Sequence, residues 1–388
     1  RTSIFSIITL LIIISFCEII SFLLLEFVFL PKGYVYRPEL NHTSLSYQKV
    51  QALPFNPWGR QEIKEPLLLS PGLDKRRVGE VYNEKVCISL YGDSFTEDPR
   101  WGQLVSDNLN CNILNYGVGG FGIDQAWKVY ENNLHDNAKI VVLGFFSEDI
   151  TRHVTRNRAW EYNPVGYGSA KEYDKFRFIL NTDGELVPVP PEAKSFKDFK
   201  LAVSDPEKFI QHDYFAAGKK SGPPYLHFPY TITLLKIFSH WKLQPRFSGK
   251  PYYADLYTPN HDSNALEISV KIVEKFVNLA RKRKAQPIVV IMPSVLDFEH
   301  FRKTDHWIYQ PLIDELNLRS IPVHNAGPSM LEYVTLKNFC SMFQINEIKF
   351  SLFFNDCGGH YSDKGYEALG KFVTNTILRN YRNKLFEF

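Results

Sequence analysis

The stretch Val86-Cys-Ile-Ser-Leu-Tyr-Gly-Asp-Ser-Phe-Thr96 decides the fold of this chain. Residues 86–91 form a short, mostly apolar run that predicts a buried strand, and a helix-like segment begins near Trp101. Gly92, Asp93 and Ser94 form the turn between them. In open α/β sheets, such turns lie at the carboxyl edge, where ligands bind. Ser94 is therefore placed as a nucleophile would be, with its hydroxyl close to backbone N–H groups.

The same residues also have a purely structural interpretation. Ser94 and Glu97 have the S-x-x-E spacing of a capping box, in which the serine begins a helix and does no chemistry. Catalysis needs a base, an orienting acid and an oxyanion site as well, and the rest of the chain has to supply them.

Strands and helices alternate on either side of this stretch. Further strands are predicted at 113–118, 139–146, 287–292 and 321–325, with helices at 124–134, 266–283, 307–318 and 364–380. Five strands alternating with helices predict an α/β fold built on a doubly wound, five-stranded parallel sheet.

A long insertion, residues 151–262, follows the third strand. It is rich in proline and aromatic residues, and 178–187 predicts a hairpin that turns at Asp183 and Gly184. A segment of this length beyond the carboxyl edge is expected to act as a lid or to shape the substrate site.

Residues 4–30 are almost wholly apolar and predict a transmembrane helix of about 40 Å. We expect an uncleaved, single-pass anchor (1–31), a stalk (32–80) and an α/β domain (81–388) on the extracytoplasmic side. Glu18 lies within the span, where a carboxylate costs about 2.5–3.5 kcal/mol on insertion scales. It predicts a membrane-protein partner, or else it reaches the interface or is protonated.

Composition excludes several classes of function. The chain has 388 residues, 44% of them hydrophobic and 22% charged, and a net charge of +3, which gives no case for nucleic acid. Its five cysteines lack close pairs and metal spacing, so we expect no disulfide scaffold and no metal. No phosphate or dinucleotide motif is present, so we expect no cofactor.

A second motif lies near the end of the chain. Asn355-Asp-Cys-Gly-Gly-His-Tyr-Ser-Asp-Lys-Gly365 puts Asp356 and His360 in one short, glycine-rich loop before the last helix. Such a loop can bring an imidazole to a nucleophile on a neighbouring strand end, with an acid beside it.

Together these motifs resemble the SGNH (GDSL-type) hydrolase family over about residues 81–388. Gly92-Asp-Ser-Phe-Thr96 is similar to its first block, and Asn115-Tyr-Gly-Val-Gly-Gly120 to its second. The resemblance implies a flavodoxin-like sheet, with Ser94 as nucleophile, His360 as base and Asp356 as orienting acid. It also implies an oxyanion hole formed by the N–H groups of Ser94 and Gly120.

The chain departs from the family in two places. Its third block is Gly144-Phe-Phe-Ser-Glu-Asp149, so Glu148 stands where the family has an oxyanion-binding Asn. Losing one such donor typically costs about 10²–10³ in turnover, unless Ser147 donates instead, Glu148 is protonated or the insertion supplies a donor. The family spacing D-x-x-H falls on Cys357, with Asp356 one residue farther away.

Three charged residues next to these motifs, Asp93, Asp149 and Arg152, are predicted to line the substrate site. Arg152 and Asp149 could also tie the insertion down. The predicted function is hydrolysis of an ester through an acyl-serine, with an acylated small molecule or an O-acetylated cell-envelope polysaccharide as substrate. One alternative is an O-acyltransferase that uses a sugar hydroxyl as acceptor. Another is a non-catalytic, membrane-anchored binding or assembly protein.

Overall fold

A computed structural model describes residues 2–37, 66–72, 77–78, 86–156, 175–190, 211–241, 243–244, 249–334, 337–345 and 357–386. The chain divides into two compact units. The N-terminal unit comprises Arg1–Gln61, Val154–Arg177 and Val189–Tyr252. The sheet unit comprises Glu62–His153, Phe178–Pro188 and Tyr253–Phe388.

The described strands form one large sheet and two small ones. In chain order they are β1 (Leu67–Leu69), β2 (Arg77–Val78), β3 (Val86–Tyr91), β4 (Asn112–Asn115), β5 (Ile140–Phe146), β6 (Arg177–Leu180), β7 (Leu186–Val189), β8 (Gln286–Met292), β9 (Val323–Asn325), β10 (Phe343–Ile345) and β11 (Cys357–Tyr361). The large sheet has the order β2-β1-β4-β3-β5-β8-β9, and the small sheets are β6-β7 and β10-β11.

The centre of the large sheet is parallel. Pairing is parallel along β4, β3, β5, β8 and β9. These are the five strands predicted from the sequence, and their presence is confirmed. β1 and β2 add an antiparallel edge. Both lie in the predicted stalk, and the sequence analysis missed them. The β6–β7 hairpin, with Gly184 at φ +77° in its turn, is confirmed.

The described helices accompany these strands. They are α1 (Thr2–Leu24), α2 (Ser94–Glu97), α3 (Pro99–Leu109), α4 (Ile123–Asn132), α5 (Ile150–His153), α6 (Tyr230–Lys236), α7 (Ala265–Lys282), α8 (Val295–Thr304), α9 (Gln310–Leu318), α10 (Ala326–Leu331), α11 (Asp363–Asn380) and α12 (Arg382–Phe386). Helix α11 packs on α3 and α10, whereas α7 packs on α4 and α9. Because crossovers between parallel strands are almost always right-handed, the strand order predicts that these two groups lie on opposite faces of the sheet.

The strand order fixes where ligands are expected. The connection from β3 to β4 runs to one side of β3, and the next strand, β5, lies on its other side. The direction of winding therefore reverses at β3. In doubly wound sheets, such a switch point opens a crevice at the carboxyl ends of the strands. Ser94 lies just beyond that end of β3.

The N-terminal unit is built around one long apolar helix. Ile4–Phe29 is apolar and long enough to cross a membrane. Its last five residues, Leu25–Phe29, form a π-helical turn. Leu25 and Leu30 pack with Ile237 and Leu243 in a small apolar core. An ion pair between Arg37 and Glu26 closes the end of the span.

The cysteines correct one expectation from the sequence. Cys87 pairs with Cys111 at a Cα–Cα distance of 6.1 Å, and Cys340 pairs with Cys357 at 5.4 Å. Sequence spacing did not predict these disulfides because the fold brings together residues that are 24 and 17 positions apart. Cys17 is free and exposed.

Candidate active site

The turn that carries Ser94 is packed tightly between two strand ends. A Cβ atom on either Gly92 or Gly144 would collide with the Thr96 side chain, which lies between the ends of β3 and β5. Glycine at both positions lets the first turn of α2 lie directly on the sheet. The backbone of Ser94 is therefore held against the sheet edge.

Asp93, and not Ser94, caps this helix. Its buried carboxylate accepts hydrogen bonds from the N–H groups of Phe95 at 3.0 Å and Thr96 at 3.4 Å. The capping-box interpretation of Ser94 is therefore wrong. Ser94 is the first residue of α2 and is half-buried, and its hydroxyl forms no side-chain hydrogen bond within the part of the chain that the structure describes.

The glycine-rich loop after β4 is fastened to the same turn. The Asn115 side chain donates to the carbonyl of Thr96 at 2.7 Å and accepts from the N–H of Gly117 at 2.9 Å. The Glu97 carboxylate accepts from the N–H of Gly119 at 2.7 Å. A Cβ on Gly117 would collide with the backbone of Glu97, so only glycine permits this approach.

Two backbone N–H groups on these segments have no acceptor among the described residues. Those of Ser94 and Gly120 donate to none of the described residues, although their neighbours Phe95 and Gly119 do donate. Gly120 has φ +86°, a conformation that favours glycine. The two predicted oxyanion donors thus lie on two segments that hydrogen bonds hold together.

His360 lies on β11 and its ring packs against the residue that follows Ser94. The ring centroids of His360 and Phe95 are 4.9 Å apart, and Phe95 also stacks on Phe146 at 3.8 Å. His360 is exposed, but the packing of its ring removes enough water to lower its pKa below the ordinary value, against the opposite effect of Asp98. The imidazole is therefore neutral at pH 7. No hydrogen bond joins it to Ser94 among the described residues.

Arg100 ties the His360 segment to the Ser94 turn. Its guanidinium donates to Asp98, directly after α2, at 2.7 and 2.9 Å, and to Asp363, the first residue of α11, at 2.5 Å. It also lies over the ring of Tyr366, 4.3 Å from the centroid. His360 lies three residues before Asp363, so Arg100 holds the segment of His360 to the Ser94 turn, a contact that the sequence did not predict.

The predicted acid, Asp356, lies outside the described residues. Among those residues, the acids that act on the charge of His360 are Asp98 and Glu97. The carboxylate of Asp98 is bound by Arg100, and that of Glu97 by Gly119. The role of Asp356 stays a prediction.

The structure corrects the role expected for Ser147. This residue follows β5 and is fully buried, and its hydroxyl donates to the Asp297 carboxylate. The N–H of Ser294 also approaches that hydroxyl, at 3.2 Å. The hydroxyl of Ser147 is thus already used and does not serve an oxyanion. Glu148, beside it, is half-buried in the 3-10 turn Ser147–Asp149.

Asp297 is a buried acid that the sequence analysis did not identify. Burial raises its pKa to about 7, against hydrogen bonds from Ser147 and Ser294 that lower it. Ser294 and Asp297 form the capping box of α8, directly after β8. The signal was present in the sequence as a serine three residues before an acid, just beyond a buried strand.

The three charged residues predicted to line the substrate site form one buried cluster. Arg152 lies 2.6 Å from the Asp149 carboxylate and 3.7 Å from that of Asp93, and donates to the carbonyl of Phe121 at 2.5 Å. Burial raises the pKa of Asp93 to about 6, against the lowering effect of Arg152. Buried in this way, the cluster supports the Ser94 turn and the glycine-rich loop from beneath.

Comparisons with known proteins add little to this geometry. No family model matches the chain, and no curated protein matches it. One solved structure, titled only "Crystal structure of", aligns with a TM-score of 0.34 and 12% identity, over 76% of this chain and 97% of its own. A likeness this weak carries no argument about function. Among the described residues, no group of three His, Cys, Asp or Glu side chains is arranged to hold a metal ion.

Proposed function

We propose that the protein is an ester hydrolase of the SGNH type, with Ser94 as nucleophile and His360 as general base. One observation carries the proposal: the His360 ring lies 4.9 Å from the ring of Phe95, which directly follows Ser94. Asp93 caps the helix and leaves the Ser94 hydroxyl and N–H for chemistry. Base, nucleophile and two N–H donors at a switch point together suit acyl transfer.

In this mechanism, neutral His360 accepts the Ser94 proton as the hydroxyl oxygen attacks the ester carbonyl carbon. The carbonyl oxygen becomes an oxyanion that accepts hydrogen bonds from the N–H groups of Ser94 and Gly120. The C–O bond to the leaving alcohol breaks, and His360 returns its proton to that alcohol. His360 then takes a proton from water as the water oxygen attacks the acyl carbon, the bond from that carbon to the Ser94 oxygen breaks, and His360 returns the proton to Ser94 as the acid is released.

The substrate we propose is an acyl ester, such as an O-acetyl group, on a cell-envelope polysaccharide. The apolar span Ile4–Phe29 supports a membrane anchor. The disulfides Cys87–Cys111 and Cys340–Cys357 support an oxidising compartment, and hence the extracytoplasmic side. An anchored enzyme on that side meets envelope glycans directly.

A specific observation favours a non-catalytic binding protein as the second candidate. No hydrogen bond joins Ser94 to His360 within the described residues, and Glu148 stands where the resembled family has a donor. Catalytic hydrogen bonds are often long before substrate binds, so the absence of this bond does not remove the enzyme proposal.

The test is labelling of the detergent-solubilised full chain with a fluorophosphonate probe. We expect the wild type to be labelled, Ser94→Ala to be unlabelled and His360→Ala to be labelled far more slowly, while the thermal unfolding of both variants is unchanged. A folded wild type that is not labelled would favour the binding protein. If labelling occurs, acetyl-ester turnover with and without a glycan acceptor separates hydrolysis from transfer to a sugar hydroxyl.

A further inference from the structure

Glu18 has its partner within the same chain. Its carboxylate accepts hydrogen bonds from the N–H groups of Tyr230 at 2.5 Å and Thr231 at 3.3 Å, and from the Thr231 hydroxyl. These N–H groups are at the start of α6. A separate membrane protein is therefore not needed to supply hydrogen bonds to Glu18, because residues of the same chain supply them.

The depth of Glu18 fixes the depth of α6. Glu18 lies eleven residues before Phe29, the end of the apolar span, which is about 16 Å along a helix. The hydrocarbon core of a bilayer is about 30 Å thick, so Glu18 lies near its middle. Backbone N–H groups at that depth need a protein acceptor, because lipid offers none. Glu18 supplies it for the first turn of α6.

Helix α6 continues beside α1 in the same direction. The rings of Phe22 and Tyr230 are 4.9 Å apart near the start of the contact. Farther along both helices in the C-terminal direction, Leu25 and Leu30 share an apolar core with Ile237. The apolar segment Tyr230–Ser239 thus lies alongside the second half of the span.

The outer surface of residues 228–238 is apolar except for exposed Lys236, which lies toward the interface end of the segment, where a lysine side chain can reach the headgroups. Exposed fractions are 69% for Phe228, 47% for Ile232, 67% for Leu235 and 52% for Phe238. Four large apolar side chains exposed on one short segment are costly in water. These side chains continue the apolar surface of α1, so the hydrocarbon core of a bilayer is a favourable surrounding for both surfaces.

A groove of about 490 Å³ runs between the two helices. It is lined by Ser21, Leu24, Val28, Phe29, Thr231, Leu234, Leu235 and Phe238. Helices that pack together in membranes do so mainly through small residues, and most of this lining is bulky. The groove is therefore unsuited to a further helix and fits a flexible chain.

We propose that Tyr230–Ser239 is embedded in the bilayer beside the second half of α1, and that the groove between them holds one acyl chain of a bilayer lipid. The inference rests on the membrane anchorage included in the proposed function. It goes beyond that anchorage because it makes the anchor a helical pair with a bound lipid, and it gives Glu18 a structural role.

Spin labels can test the depth of Tyr230–Ser239. The full chain with Cys17→Ser, its disulfides intact, is labelled at Ile232→Cys or Leu235→Cys in phosphatidylcholine liposomes. Ile12→Cys is the reference on α1 and Leu318→Cys, 80% exposed in the sheet unit, is the aqueous control. We expect molecular oxygen to relax the labels at 12, 232 and 235 more than a water-soluble nickel chelate does, and the reverse at 318.

The other possible responses of the spin labels each contradict a different part of the proposal. Labels at 232 and 235 that respond to nickel, with the label at 12 in lipid, would place the segment in water and overturn this inference alone. A label at 12 that responds to nickel would remove the anchor itself. Labels at 232 and 235 that broaden each other between copies would assign the groove to a second chain.

The bound lipid has its own measurement. Liposomes that contain phosphatidylcholine with a nitroxide on its acyl chain report lipids whose motion is restricted by protein. We expect Val28→Trp, which fills the groove, to remove about one restricted lipid per chain compared with Ile12→Trp, the same substitution away from the groove. Equal restricted fractions in the two variants would overturn the bound acyl chain.

Discussion

Ser94 and Ser147 follow neighbouring parallel strands at the same edge of one sheet, yet their surroundings differ. Ser94 is half-buried, and the capping of its helix is done by Asp93. Ser147 is fully buried, and its hydroxyl donates to Asp297. The comparison teaches that a position at a strand end is not enough to make a serine available as a nucleophile. Another residue must accept the hydrogen bonds of the N–H groups at the helix start, so that the serine hydroxyl has no structural hydrogen bond to keep.

Exchange of each serine for alanine should separate the two roles. Ser94→Ala should abolish fluorophosphonate labelling and change the free energy of unfolding by less than about 0.5 kcal/mol, as a surface substitution does. Ser147→Ala should keep labelling but lower that free energy by about 1–3 kcal/mol, because buried Asp297 loses a donor. Labelling and urea unfolding measure the two effects. Lost labelling in a stable Ser147→Ala variant would contradict the comparison.

The base of Ser94 should give its reactivity a pH dependence that Ser147 cannot have. His360→Ala should slow labelling by about 10²–10⁴, the range for general bases. Because burial lowers the pKa of His360, the wild-type rate should be at its plateau by pH 7 and fall in acid, below the ordinary imidazole pKa of about 6.5. The rate is measured by stopping the fluorophosphonate reaction at a series of times at each pH between about 4 and 9. His324→Ala, whose pKa is also lowered by burial, is the control and should leave the profile unchanged.

The network around Ser147 should instead give stability a pH dependence. The pKa of Asp297 is about 7 when folded and about 3.9 when unfolded, so the folded state binds more protons between these values. Wild-type stability should therefore fall as pH rises from 4 to 7, by at most about 1.4 kcal/mol per pH unit. Asp297→Asn should reduce this slope in urea unfolding, most clearly between pH 6 and 7, because burial raises the pKa of Asp93 only to about 6. An unchanged slope above pH 6 in Asp297→Asn would assign it to another group.

The smallest effect is expected at Glu148, which directly follows Ser147. Glu148→Asn should raise the labelling rate of Ser94 by about tenfold, since an amide donates where a carboxylate repels an oxyanion, and an added donor is less well placed than an evolved one. Glu148→Gln, with the same charge change and a longer side chain, is the matched control. A lower rate in both variants would show that the carboxylate itself is needed.

The main sheet was predictable because its strands are buried on both faces. Runs such as 140–146 and 287–292 are apolar throughout, which is the pattern of a central parallel strand. The edge strands β1 and β2 and the β10–β11 pair were not predictable. They are two to five residues long, and their pairing depends on neighbours far away in the sequence.

The candidate residues could be chosen from the sequence, but their hydrogen bonds could not. The G-D-S motif indicated Ser94 and a His in a glycine-rich segment indicated His360, and their catalytic roles stay predictions. Sequence spacing could not decide whether Asp93 or Ser94 caps α2, because both residue types cap helices well. It also could not assign the partner of Glu18, since that partner lies 212 positions along the chain.

The contact between Arg100 and Asp363 joins residues 263 positions apart, and it has a consequence for the biosynthesis of the protein. A chain that emerges from the ribosome presents Ser94 early, whereas β11 with His360 follows after every strand of the large sheet. Under the proposed mechanism, a nascent chain carries an unactivated serine until the segment around His360 has emerged and docked. Reactivity is then delayed until every strand of the large sheet has been synthesised.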